Sequence, residues 1–182
     1  MSLYVLGCIR VSRPEGEMRV ATLSVLKFDD PRAASRTLIA LQDMQDRKMI
    51  TLEDAAVVTW PEGNKKPTIP QDHLTGEMAL GGAFWGFLFG LIFFLPFLGA
   101  AIGAGAAASL STSLENEGID EEFIRRVGEE VTEGTSALFA LTSGAADREE
   151  VVAELTQQYD FKIIWTDLPE DELKKLREVF AV

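Results

Sequence analysis

The side chains best suited to chemistry are few in this chain, and their spacing does not gather them. One histidine, His73, sits beside Asp72 in a stretch that reads as a loop. A catalytic or metal-bound imidazole works with a base, an orienting group or further ligands. With one histidine and the single cysteine Cys8, no typical zinc set can form. His73 therefore reads as a plain loop residue. Glu53 and Asp54 could act as a carboxylate pair, but neighbours on a strand point to opposite faces. Glu129, Glu130 and Glu133 read as the solvated face of a helix. There is no P-loop, and no glycine cluster follows a strand in a dinucleotide-binding pattern. The expectation is a non-enzyme with no catalytic residue, no cofactor and no metal.

The dominant element is instead a stretch without ionisable or amide side chains. From Met78 to Leu114 the chain reads MALGGAFWGFLFGLIFFLPFLGAAIGAGAAASLSTSL, bounded by Glu77 and Glu115. A transmembrane helix needs about 20 apolar residues, so this run is too long for one and barely enough for two. Pro96, near its middle, lacks an N–H and clashes with the preceding turn. The run is thus expected to form two short helices, each on the order of 27 Å long at 1.5 Å per residue, joined by the apolar bend FFLPFLG. With no polar loop at the tip, the hairpin would be re-entrant or sheltered by other subunits, because lipid offers unpaired backbone no partner. The residues expected to enter the membrane are Phe84, Trp85, Phe89, Phe93, Phe94, Pro96 and Phe97. A hairpin buried in the core of a soluble oligomer is the bland alternative.

Small residues recur within this run at helical spacing. Gly82, Gly86 and Gly90 fall on one face, and Gly99, Gly103 and Ala107 on another. Such spacing lets backbones approach closely and drives helix association in lipid. Each glycine costs a helix about 1 kcal/mol against alanine, so the repeat implies a compensating contact. These six positions are the expected packing and oligomerisation seam, a glycine zipper.

Composition narrows the partners. A formal charge of −12 over 182 residues opposes nucleic-acid binding, which needs Lys and Arg against phosphates. It also disfavours electrostatic attachment to anionic lipid, so contact with a lipid bilayer would come from apolar insertion. The lone Cys8 excludes an internal disulfide framework and fits a reducing compartment.

Around the apolar run the pattern alternates. Residues 1–20 form an N-terminal arm; its VLGC resembles a lipoprotein cleavage box, but the n-region and a long enough h-region are missing. Met18 is a possible alternative start. ATLSVLKF (21–28) reads as a strand, and Asp29, Asp30 and Pro31 as a helix start. Ala34, Leu38, Leu41 and Met44 follow on one helical face. LEDAAVVTW (52–60) is a second strand, and residues 61–72 form a loop. Asp120 opens a helix with Phe123, Ile124, Val127 and Val131, which Gly134 ends. SALFALT (136–142) suits a central strand. Asp147 and Glu150 have capping-box spacing ahead of another helix, Phe161, Ile163 and Trp165 alternate on a last strand, and Leu173, Leu176 and Phe180 mark a closing helix. The order strand, helix, strand, strand, helix, strand is the ferredoxin-like βαββαβ pattern. The expected fold is an α+β, ferredoxin-like body (21–76 and 116–182) with an inserted glycine-rich hairpin (77–115).

The strand ending in FDD, the phrase LEDAAVV, the GG-x-F-W-G-x-L-x-G-L-I-F run, GIDEEFI and SALFAL occur in that order. Together, over about Ala21 to Val182, they resemble a bacterial and archaeal family of predicted membrane proteins catalogued as a domain of unknown function. The resemblance implies membrane association and a glycine-zipper hairpin, and carries over no activity or catalytic residue.

The functional expectation is a membrane-associated structural or assembly protein that self-associates as a homo-oligomer through its hairpins. Lys65, Lys66, Arg125 and Arg126 lie near both ends of the apolar run, which favours a body on the cytoplasmic side of the cell membrane. Two alternatives stand beside it. One is a ligand-binding or regulatory module anchored by the hairpin. The other is a soluble, cage-like or filamentous homo-oligomer that buries the hairpins.

Overall fold

In the computed structural model, the described residues are 9–10, 21–69, 81–102, 119–143, 148–169 and the single positions 171, 174 and 178. The elements are β1 (Ile9–Arg10), β2 (Ala21–Phe28), α1 (Ala33–Asp46), β3 (Thr51–Thr59), α2 (Gly81–Ile102), α3 (Glu121–Glu130), β4 (Ser136–Ser143), α4 (Arg148–Gln158) and β5 (Lys162–Leu168).

The strands form one sheet in the order β1-β5-β2-β4-β3. The four long strands pair antiparallel, with Val25 opposite both Phe139 and Ile164. Short β1 adds to β5 in parallel, Ile9 facing Ile164. Side chains alternate between the two sheet faces, and here both faces are covered. Leu23, Val25, Ala56, Val58, Phe139 and Leu141 share a core with α2 and α3. Leu26, Phe28, Ala55, Val57, Leu138 and Ala140 share a second core with α1 and Leu155 of α4. Burial on both sides explains why SALFALTS reads as an unbroken apolar run.

The fold expected from the sequence is corrected here. A ferredoxin-like βαββαβ body has helices on one face and a four-stranded sheet. This chain has three layers and a fifth, parallel strand at the β5 edge. The part of the apolar segment from Phe84 to Phe93 is no projecting finger either. That part belongs to the third layer.

The hairpin is also corrected. α2 is one helix of 22 residues that runs through Pro96 without a bend into a second arm. Proline deprives the Ile92 carbonyl of its helical donor, and the neighbouring α3 comes close at that point: a β-carbon on Gly128 would lie 3.1 Å from the Ile92 oxygen.

The transmembrane expectation fails on length. Among the described residues, no helix is long and apolar enough to cross a membrane. Phe84, Trp85, Leu88, Phe89, Leu91, Ile92 and Phe93 are all buried in the sheet-facing core. Only Phe94 to Ile102 continue α2 beyond them, about 13 Å of helix at roughly 1.5 Å per residue. That is less than half of a hydrocarbon layer about 30 Å thick.

Local signals hold elsewhere with shifts. Asp120 caps α3, its carboxylate accepting from the Glu122 N–H at 2.9 Å. α1 starts at Ala33, later than the Asp-Asp-Pro signal suggests. The Asp30 side chain accepts from the Arg32 N–H before the first helical turn, and Arg32 at the N-cap makes no side-chain cap. α3 ends at Glu130; Gly134 takes a φ of +85° in the turn that follows. The Asp147 signal, His73, most of the N-terminal arm, and Leu173, Leu176 and Phe180 lie outside the described residues.

Candidate functional site

The two sides of α2 differ sharply in what they touch. On the sheet side, Trp85 stacks on Phe89 at 5.6 Å between ring centres. Phe89 meets Phe139 edge-on at 4.9 Å, and Trp85 meets Phe139 at 6.2 Å. Offset and edge-on geometries suit the aromatic quadrupoles, and these rings are buried. The residues expected to enter lipid, Phe84, Trp85, Phe89 and Phe93, are thus placed against the protein's own sheet. Gly99, Phe94, Pro96 and Phe97 lie on the backbone of α2 beyond this core. Gly103 and Ala107 lie outside the described residues.

The glycines run along the flank of this sheet-facing side, beside Phe89 and Phe93. Gly82 and Gly86 are exposed and Gly90 is half-buried. Among the described residues, a β-carbon built on any of the three would have nothing within 4 Å. The i, i+4 spacing makes a track of bare backbone along roughly two turns, with Phe87 half-buried beside it. A helix apolar on all sides needs cover on all sides; the sheet and α3 supply part of it.

Near its middle, at Phe93, α2 meets a clasp made by two turns. Trp60 N–H donates to the Thr135 carbonyl at 2.9 Å, and Gly134 N–H donates to the Trp60 carbonyl at 2.7 Å. The Trp60 indole donates to the Asn64 carbonyl at 2.7 Å, and Glu133 accepts from the Gly63 N–H. Gly63 and Gly134 both adopt positive φ, which glycine tolerates without strain. The Trp60 ring then stands edge-on to Phe93, centres 6.1 Å apart.

The candidate chemical groups are dispersed. Glu53 is the extra residue of a bulge between Leu52 and Asp54, and it accepts from the Ser143 hydroxyl. Asp54 is fully buried and accepts from the Ala55 N–H at 2.8 Å. Glu129 pairs with Arg125, Glu130 with Lys162, and Glu133 serves the clasp. Arg125 and Arg126 both bond Glu122, and Arg125 holds the Glu122 carboxyl below its ordinary range. Among the described residues, no three His, Cys, Asp or Glu side chains group as metal ligands. The clasp escaped sequence reading because its contacts join residues about seventy positions apart. Gly63 and Gly134 were its only local trace.

The class these features define is a three-layer α/β/α protein whose apolar outer-layer helix carries glycines that no described residue covers. A family model described as a protein of unknown function, DUF1269, matches residues 79–181, more than half of the chain, and the chain belongs to that family. The match begins just before α2 and leaves out β2, α1 and β3, a shorter reach than the resemblance read from the sequence. No curated protein and no solved structure matches.

Proposed function

We propose that this is a non-enzymatic structural protein that self-associates through the glycine face of α2. The uncharged segment beyond Phe93 holds it at a lipid bilayer, with the α+β body on the cytoplasmic side. One observation carries the reading: Gly82, Gly86 and Gly90 line a flank of α2 that no described residue covers, beside a face fixed in the core. Three glycines there destabilise α2 by about 1 kcal/mol each, which close approach of a second copy offsets. The uncharged run from Met78 to Leu114 supports contact with an apolar phase, and Lys65, Lys66, Arg125 and Arg126 support the cytoplasmic side.

Gly86→Leu tests self-association. Open space over Gly86 means the variant folds as a monomer, while a second backbone can no longer approach. Size-exclusion chromatography with light scattering in detergent should show wild-type oligomers and a monomeric variant with an unchanged circular dichroism spectrum. A variant that assembles like the wild type sinks the proposal. Retention of the protein in membranes through an alkaline carbonate wash tests the bilayer part.

A further inference from the structure

We infer that the clasp loop from Trp60 to Lys66 is the part of the body that rests at the headgroup layer of a bilayer; this builds on the membrane reading above. Phe89 lies over Phe139, which pairs with Ala56 in mid-strand, and Phe93 meets Trp60, just past the end of β3. α2 therefore runs along β3 and reaches the end of the sheet at Phe93. Its remaining backbone, Phe94 to Ile102, stays helical beyond the spot that Trp60 flanks.

Trp60 has the character of an interfacial residue. Its ring packs on an apolar neighbour while its N–H is satisfied by the Asn64 carbonyl, the combination that places tryptophan at membrane surfaces. The turn is held by hydrogen bonds to Thr135, Gly134 and Glu133, so its tip has a fixed position beside α2. Lys65 and Lys66 are exposed at that tip, and long lysine stems can lie along an apolar surface with the ammonium among phosphates. Glu62 is exposed in the same turn and Glu133 adjoins it. Net charge is therefore not the attraction. Amphipathic shape is, so the contact should form on zwitterionic phosphatidylcholine and change little with salt.

The test uses the full chain with Cys8→Ser and one new cysteine, Lys65→Cys, carrying an environment-sensitive fluorophore. Ile39→Cys is the control, because Ile39 is 67% exposed on α1, across the sheet from α2. Both proteins are reconstituted into phosphatidylcholine vesicles and floated, and nitroxide lipids labelled in the headgroup or deep in the chain are added. Expected is headgroup-nitroxide quenching at position 65 at least twice that at position 39, with little deep quenching at either. Flotation with equal quenching at both positions overturns this inference and leaves the membrane reading standing. Failure to float overturns both.

Discussion

Gly128 of α3 presses on the backbone of α2 at Ile92: the place of a β-carbon lies 3.1 Å from the Ile92 carbonyl oxygen. Ile92 is also the residue whose carbonyl Pro96 leaves without a helical donor. The close approach and the missing bond coincide, so α3 crosses α2 at the point where the helix ladder is interrupted.

Gly128→Ala follows from that contact. Alanine would favour α3 by about 1 kcal/mol in helix propensity, whereas overpacking a rigid backbone costs about 1–3 kcal/mol. The net effect should be destabilisation, read as a lowered urea midpoint with unchanged slope. A stabilised variant would show that the two helices can slide apart freely.

Phe89 and Gly86 are neighbours three residues apart on one helix, but Phe89 is buried and Gly86 is exposed, so they should respond differently. Phe89→Ala removes a buried ring from its contacts with Trp85 and Phe139 and should cost about 3–5 kcal/mol. Gly86→Leu should raise the unfolding midpoint of the monomer slightly, by up to about 1 kcal/mol of helix propensity. Equal losses in both variants would mean that the glycine side is part of the core.

Ser136 joins the start of α1 to β4. Fully buried, its hydroxyl donates to the Asp30 carbonyl at 2.6 Å and accepts from the Ala34 N–H at 3.2 Å. Ser136→Ala strands both groups, at about 1–3 kcal/mol for buried polar atoms left unpaired. Chemical denaturation of the variant checks this, and a loss under about 0.5 kcal/mol, the scatter of ordinary surface substitutions, would contradict it.

Acid should weaken the same junction. The Arg32 N–H and then Arg36 hold the Asp30 carboxyl below its usual range. A folded-state value below the unfolded one gives stability that is full above an unfolded pKa of about 3.9 and lost as pH falls through the folded value. Asp30 is exposed, so the effect is small. Wild type should exceed Asp30→Asn in denaturation midpoint at pH 7, and the gap should close below about pH 4. A gap that persists at pH 2 would assign the difference to something other than ionisation.

How much of this was legible depends on what composition can encode. Asp120 announced α3 because a cap is a local bond between near neighbours. The apolar run was equally plain, yet Phe89 facing Phe139 and Phe89 facing lipid need the same residue type, so only the packing distinguishes them. Pro96 read as a break because an isolated helix loses a bond there; α3 crossing at Gly128 is a tertiary fact. Strands apolar on both faces, such as SALFALTS, named a buried sheet without saying how many layers bury it. The glycine face was visible in spacing alone, and its open outlook was not.

The pairing of Ile9 and Arg10 with Ile164 and Trp165 bears on the alternative start at Met18. A shorter product begun there would lack β1, leaving the outer rim of β5 with idle N–H and C=O groups. Bare rims of that kind recruit strands from other chains. Two translation products of this one sequence would thus differ in their tendency to clump, with the cores around Phe139 and Leu138 the same in both.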